Sequence, residues 1–304
     1  MSFSITILGS GSAVPTISRN PTSQFVECNG RNLLIDCGEG TQMQIRRFGI
    51  KFQKIDHILI SHLHGDHYFG LVGLLSTMHM MGRVKPVMVY GPTGLKDIVE
   101  IQLHAAGSRL AFDVIINELE PNTHGVLFED NKIKVSWFPL KHKIPTQGFR
   151  IDQKPKDRKL LIEKAERDGV KIAHYHRLKK GEDVLSDDET LFRFEDYTAP
   201  AASPMSYGYC SDTCYSEAIV PFIEGVDVLY HEATFTEDML DRAEGTKHST
   251  AKQAATIAKL ANVGSLKMGH LSARYDNGDA HVKEATPIFP ASSYVEDGEV
   301  ISIN

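Results

Sequence analysis

The stretch Ser61-His62-Leu63-His64-Gly65-Asp66-His67 holds three imidazoles and a carboxylate within seven residues. It follows an apolar run, Ile55 to Ile60, that reads as a buried strand. In extended backbone His62 and His64 project to one side, because side chains alternate with a period of two, so both can reach one cation. Gly65 then bends the chain. Asp66 and His67 thereby face a second cation across the turn, the arrangement used in two-metal hydrolysis. A lone histidine at a strand end reads as an ordinary surface or core residue; a cluster at this spacing reads as a metal site once distant ligands close the shells.

Three other segments supply such ligands. Trp137-Phe138-Pro139-Leu140-Lys141-His142 puts a histidine just past a strand end. Tyr209-Cys210-Ser211-Asp212-Thr213 ends a strand with a carboxylate, whose plain alternative is an N-cap for a helix over Tyr215 to Phe222. Lys267-Met268-Gly269-His270-Leu271-Ser272 ends a further strand with histidine. The shells then close with His62, His64 and His142 around one ion, Asp66, His67 and His270 around the other, and Asp212 bridging. Nitrogen and oxygen ligands alone suit Zn²⁺ first, and Mn²⁺ or Fe²⁺ after it.

Periodicity organises the rest as α/β. Strands are expected at Phe3 to Leu8, Leu33 to Asp36, Pro86 to Tyr90, Phe112 to Leu119, Gly125 to Phe128, Lys132 to Leu140, Met205 to Cys210, Asp227 to Tyr230, Ser265 to Met268 and Val300 to Ile303. Helices are expected over Thr41 to Phe48, Tyr68 to Met81, Gly94 to His104, Glu237 to Arg242 and Thr250 to Leu260. Such interleaving implies two sheets with helices on their outer faces, one domain over residues 1–304 interrupted by an insertion at about 152–195.

The chain has 304 residues, 41% of them hydrophobic, enough for a substantial core. Its apolar runs are too short to span a membrane, and Met1-Ser2-Phe3-Ser4-Ile5 lacks the charged start of a signal peptide. Cys28, Cys37, Cys210 and Cys214 are too few and scattered for a disulfide scaffold, so a cytoplasmic location is expected. A net charge of −6 argues against a generally basic surface, yet Lys154 to Lys180 alone carries +6, which leaves −12 elsewhere. That segment is suited to a polyanion.

The chain resembles the metallo-β-lactamase superfamily and, within it, the ribonuclease Z family. Ser61 to His67 specifies the superfamily; Asp36-Cys37-Gly38-Glu39-Gly40-Thr41-Gln42 also matches. The narrower resemblance rests on His231-Glu232-Ala233-Thr234-Phe235, Lys247-His248-Ser249-Thr250 and Gly269-His270-Leu271-Ser272-Ala273-Arg274-Tyr275. It implies a four-layer αβ/βα sandwich with an inserted flexible arm, and a zinc-dependent endoribonuclease that removes the 3′ trailer from precursor transfer RNA. The implied products are a 3′-hydroxyl on the transfer RNA and a 5′-phosphate on the trailer, after attack by a metal-activated hydroxide. Two Zn²⁺ per subunit and a homodimer are implied as well. Asp66 would orient the attacking water, His248 would protonate the leaving oxygen, and Glu232 would hold that imidazole charged.

For substrate binding the resemblance points to Arg19 and Asn20 in the loop Pro15-Thr16-Ile17-Ser18-Arg19-Asn20, to Arg274, and to Lys154, Lys156, Arg158, Lys159, Arg177, Lys179 and Lys180 in the arm. Two departures stand out. Ile17 takes the place of a common lysine, and Gly169 to Arg177 lacks the arm's usual Gly/Pro-rich element. The competing readings are another dinuclear hydrolase of the same fold (a phosphodiesterase, lactonase or thioesterase) and an RNA-binding scaffold with a decayed centre.

Overall fold

The computed structural model describes residues 3–303, so Met1 and Ser2 of the N-terminal stretch lie outside the described residues. Side-chain alternation decides the layering. Along the strand Phe3–Gly9, the side chains Phe3, Ile5 and Ile7 share one apolar cluster with Phe149, Ile151, Tyr207, Tyr209 and Tyr230 of a second sheet. From the other face of the first sheet, Leu8, Phe25, Leu34 and Ile58 pack under Leu71, Leu74, Leu75 and Met78 of the helix Leu71–Met80. A third cluster joins Phe138, Leu229, Leu266 and Met268 to the alanine-rich helix Ala251–Leu260. The layers therefore run helix, sheet, sheet, helix, the expected sandwich.

Each large sheet has seven strands. The first runs in the order Val300–Ser302, Phe3–Gly9, Ser23–Cys28, Arg31–Ile35, His57–Leu59, Val87–Pro92 and Val114–Leu119, and is parallel from Arg31–Ile35 onward. In the second, Ser206–Cys210, Val228–Glu232, Ser265–Gly269 and Ser292–Tyr294 are parallel, and Thr146–Gln153 joins them antiparallel. Asp36, His62, Asp212, Glu232 and His270 all lie at or just beyond the carboxyl ends of parallel strands, where open α/β sheets form their crevices.

Several elements depart from the sequence expectation. The strand before the histidine run covers only His57–Leu59, and a separate turn of helix, Gly65–Tyr68, precedes Leu71–Met80. Ser23–Cys28 is a strand that its polar residues conceal: Ser23 and Gln24 are fully buried, Ser23 donating to the Asp36 carbonyl (3.0 Å) and Gln24 accepting from Tyr207 (2.5 Å). The helix foreseen over 215–222 is a 3₁₀ turn, Glu217–Ile219, running into Val220–Ile223.

The main body takes in the chain up to Asp152 and from Met205 onward; Gln153–Pro204 is a second compact unit. This unit extends past the expected end near 195 because Thr198–Ala199 pairs antiparallel with Lys159–Leu160. Its core is small: Ala165, Val170, Leu178, Val184 and Phe192, with Tyr175, Phe194 and Tyr197 packed around them. The acidic residues Asp187, Asp188 and Glu189 lie in the loop of a hairpin that pairs Val184–Leu185 with Leu191–Phe192.

Candidate metal centre

Local backbone explains how the histidine run is presented. His64 is extended (φ −75°, ψ 143°) as the residue before the Gly65–Tyr68 helix, and the chain turns at Gly65. A Cβ on Gly65 would lie 2.1 Å from the Phe69 ring, so glycine lets that ring pack against the turn. The turn is zipped to the loop after Ile35, with Cys37 N–H donating to His67 O (2.7 Å) and Gly70 N–H to Cys37 O (2.8 Å). A Cβ on Gly70 would stand 2.2 Å from the Gly38 carbonyl oxygen, which only glycine avoids.

Among the described residues the donor atoms form overlapping groups: His62, His64, His142 and Asp212 in the first, Asp66, His67 and His270 in the second, and a third in which His248 joins Asp212 and His270. In the first, His62 Nε2 and His64 Nδ1 are 3.1 Å apart, His64 Nδ1 and His142 Nε2 3.2 Å, and Asp212 Oδ2 is 3.5 Å from His62 and 3.7 Å from His142. In the second, His67 Nε2 and His270 Nε2 are 3.3 Å apart, and Asp66 Oδ2 lies 3.5 and 3.4 Å from them. Asp212 Oδ1 completes this second group at 3.4 Å from His67 and 3.2 Å from His270. A tetrahedron with spokes of about 2.05 Å, the zinc–nitrogen and zinc–oxygen distance, has edges of about 3.3 Å. Both groups therefore fit a small cation, with one Asp212 oxygen serving each.

Three further observations agree with a metal. Asp212 Oδ1 is buried without a hydrogen-bond partner, which a protein rarely tolerates unless an ion satisfies it. Each histidine that offers Nε2 to the first two groups has its Nδ1 engaged: His62 with Ser61 Oγ (3.0 Å), His67 with Asp36 Oδ2 (2.8 Å), His142 with the Lys247 carbonyl (2.8 Å) and His270 with Thr234 Oγ1 (3.0 Å). Such contacts fix the tautomer and aim the free lone pair inward. Finally, burial pushes His62 down to about 4, keeping it neutral, whereas at His67 the carboxylates of Asp212, Asp66 and Asp36 overcome burial and hold the pKa well above its ordinary value. Carboxylates that retain a proton so firmly would retain a dication in its place.

Beside these groups, Glu232 is fully buried and accepts five hydrogen bonds. Its Oε1 takes Thr213 N–H (3.1 Å), Ser249 N–H (3.1 Å) and His248 Nδ1–H (2.9 Å); its Oε2 takes the amide and hydroxyl of Thr234 (2.9 and 2.7 Å). Burial disfavours a charged His248, but Glu232 outweighs it and pushes His248 up to about 9. His248 lies 3.9 Å from Asp212 and borders a cleft of about 540 Å³ over the donor groups.

Not every residue singled out in the sequence faces that cleft. Arg19 is buried, with Nη2 donating to the carbonyls of Ser272 (3.3 Å) and Tyr275, so it braces the Arg274 loop. Asn20 is tied through its amide and side chain to Asp297 (2.8 and 2.9 Å). Arg274 is exposed. In the second unit Arg158 binds Thr198 (2.7 Å) and lies over Phe194, Arg177 pairs with Glu182 (2.9 Å) and Lys180 with Asp157 (2.7 Å), while Lys156 and Lys159 are exposed. His231, adjacent to Glu232, turns away to its neighbour's carbonyl (2.6 Å).

Sequence reasoning assigned no role to Asp36, Tyr209 or Thr234. Asp36 adopts φ +55° and accepts from Ser61 N–H (2.7 Å), Ser61 Oγ (2.9 Å), His67 and Tyr209 Oη (2.7 Å). A carboxylate directly after an apolar strand and before Cys37-Gly38 was the available signal. Nothing in the sequence pairs Asp36 with Tyr209, 173 residues away.

Fold and centre together define a metal-dependent hydrolase of the metallo-β-lactamase fold. The metallo-β-lactamase-fold protein YhfI of Bacillus subtilis has this fold, with a TM-score of 0.69, 20% identity and complete coverage of both chains. At the level of sequence, ribonuclease Z of Parabacteroides distasonis is 42% identical over 99% of each chain, and ribonuclease Z of Bacteroides fragilis 40%. The chain belongs to the ribonuclease Z family. The human short-form tRNase Z structure superposes with a TM-score of 0.73 at 27% identity, covering 99% of both chains. A family profile described as anti-Pycsar protein Apyc1 matches residues 3–162, the portion that holds the histidine run and stops short of Asp212, Glu232, His248 and His270.

Proposed function

We propose that this protein is the endoribonuclease that cuts the 3′ trailer from precursor transfer RNA, leaving a 3′-hydroxyl on the transfer RNA and a 5′-phosphate on the trailer. The observation that carries the reading is the His248–Glu232 pair: a charged imidazole beside the donor groups supplies an acid for a poor leaving group. Full-length similarity to proteins named ribonuclease Z supports the substrate. Two Zn²⁺, held by His62, His64 and His142, by Asp66, His67 and His270, and shared through Asp212, would lower the pKa of water and draw charge from the phosphate when bound.

The chain's own groups do the remaining work. Asp66, whose Oδ2 also accepts from Ala13 N–H (2.8 Å), is the carboxylate that orients the attacking water. His248 delivers its Nε2 proton to the departing 3′ oxygen, while Glu232 holds Nδ1 and keeps the imidazole charged until that moment. Arg274 binds RNA directly; Arg19 and Asn20 act by holding the loops. Gln153–Pro204 is the substrate arm, and Lys154, Lys156 and Lys159 are its phosphate contacts.

We further propose a homodimer in the cytoplasm. Met43, Met80, Met81 and Val84 expose apolar surface on the outer helical layer, suited to a second copy, and the four free cysteines fit a reducing compartment. No helix among the described residues is long and apolar enough to cross a membrane.

The test is incubation of the purified protein with a precursor transfer RNA carrying a 3′ trailer, with mapping of the cut and its termini. Cleavage should stop on chelation, resume with zinc, and yield the stated ends. Turnover of a lactone or thioester with the RNA left intact would overturn the reading.

A further inference from the structure

His248 borders two clefts. The first lies over the donor groups and is lined as well by Glu39, Phe69 and Lys143, which do not line the second. The second, of about 490 Å³, is lined by Arg242, Arg274, Phe235 and Val14 and by none of the seven proposed metal ligands. Ser12, Ala13, Thr246 and His248 form the ridge common to both. Arg242 comes from the short helix Leu240–Thr246, and among the described residues neither its guanidinium nor that of Arg274 has a hydrogen-bond or ion-pair partner. Two unpaired guanidiniums over one cleft form a ready site for a phosphate. Phe235, stacked edge-on to His248 at 6.2 Å, and Val14, 61% exposed, give the same cleft an apolar wall.

We infer that this second cleft is the subsite for the nucleotide on the transfer RNA side of the cut, and that Arg242 binds the phosphate immediately 5′ of the scissile one. The inference rests on the proposed cleavage. A general acid must stand beside the oxygen that leaves. In that cleavage water adds to phosphorus, the P–O3′ bond breaks, and the 3′ oxygen takes the proton of His248, so the nucleotide bearing O3′ is the one beyond His248 from the donor groups. Its own 5′ phosphate then falls in the cleft of Arg242 and Arg274, while the trailer's first nucleotide lies along Phe69 and Lys143. Strand polarity across the site follows from the position of the acid alone.

The experiment is a cycle between Arg242→Ala and single methylphosphonate substitutions, which remove one phosphate charge. Three precursor transfer RNAs are needed: unmodified, neutralised one phosphate upstream of the cut, and neutralised one phosphate downstream. Arg242→Ala should lower kcat/KM on the unmodified RNA about tenfold, the loss of one charge-assisted hydrogen bond. On the upstream-neutral RNA the variant and the parent should be equal within about twofold; on the downstream-neutral RNA the tenfold gap should persist. Since Arg242 is exposed and unpaired, Tm and metal content check that the variant is folded. An equal gap on all three RNAs, or a gap erased only by the downstream substitution, would overturn the assignment. A parent enzyme that cuts none of them would remove the proposed cleavage, and the subsite with it.

Discussion

The donor centre and the Gln153–Pro204 unit use charge in opposite ways. At the centre Asp36, Asp66, Asp212 and Glu232 are at most 11% exposed in their side chains, and each is fixed by partners from distant parts of the chain. In the second unit Lys/Arg and Asp/Glu are equal in number, eleven each, and much of the charge is spent locally, as in Lys171 with Asp187 (2.5 Å) and Arg177 with Glu182 (2.9 Å). The +6 of residues 154–180 is cancelled by the acidic residues that follow it up to 196. Buried charge held by geometry carries chemistry; exposed charge neutralised by its neighbours tunes affinity, and weakly.

The sharpest way to break this contrast is at His248. Its replacement by alanine removes the proposed proton donor and leaves all seven proposed ligands in the chain, so kcat should fall by about 10²–10⁴ with zinc content unchanged. Full turnover by His248→Ala would place the acid elsewhere. Glu232→Gln is a poorer probe: an amide nitrogen would meet the N–H donors of Thr213, Thr234, Ser249 or His248, and the buried conflict would cost stability of about 1–3 kcal/mol as well as rate.

A smaller effect is expected one step out from the donors. In Asp36→Asn, Ser61 and Tyr209 can reverse their hydroxyls to accept, but His67 loses the anion that orients it. Zinc affinity, measured by competition with a chelator, should weaken about 10- to 100-fold while the fold persists. Unchanged affinity would reduce Asp36 to a loop brace.

These differences also explain what the sequence made legible. Candidate donors packed into one turn, His62 to His67, stand out because their spacing has no common structural purpose. His142, Asp212 and His270 follow, since each sits at a strand end that periodicity predicts. Contacts between distant segments leave no such trace: Tyr209 reaches Asp36 only after both sheets have met, and Thr234 bridges Glu232 to His270 only once their two strands lie side by side in the second sheet. Arg19 shows the converse case. A guanidinium in a substrate-type loop reads as an RNA contact, yet its reach lets it bury against the Ser272 and Tyr275 carbonyls. Ser23–Cys28 was hidden because a strand between two others can bury serine and glutamine once their hydrogen bonds are met.

The smallest expected effect belongs to the arm. Lys156 and Lys159 are exposed, whereas Arg158, Arg177 and Lys180 are already bonded within the unit. Reversing both free charges, Lys156→Glu with Lys159→Glu, should weaken precursor binding and reduce the slope of log affinity against log salt by about 1.4–1.8, two phosphate contacts at 0.7–0.9 each. The same reversal at Lys171 should matter less, because its partner Asp187 already screens it from RNA. The cleavage rate at saturating RNA should hold, since no donor or proton-transfer group lies in 153–204. If reversal at Lys171 cost as much as reversal at the exposed pair, net charge and not individual exposure would govern the arm. The equal count of acids and bases makes that outcome hard to reconcile with any binding through this unit at all.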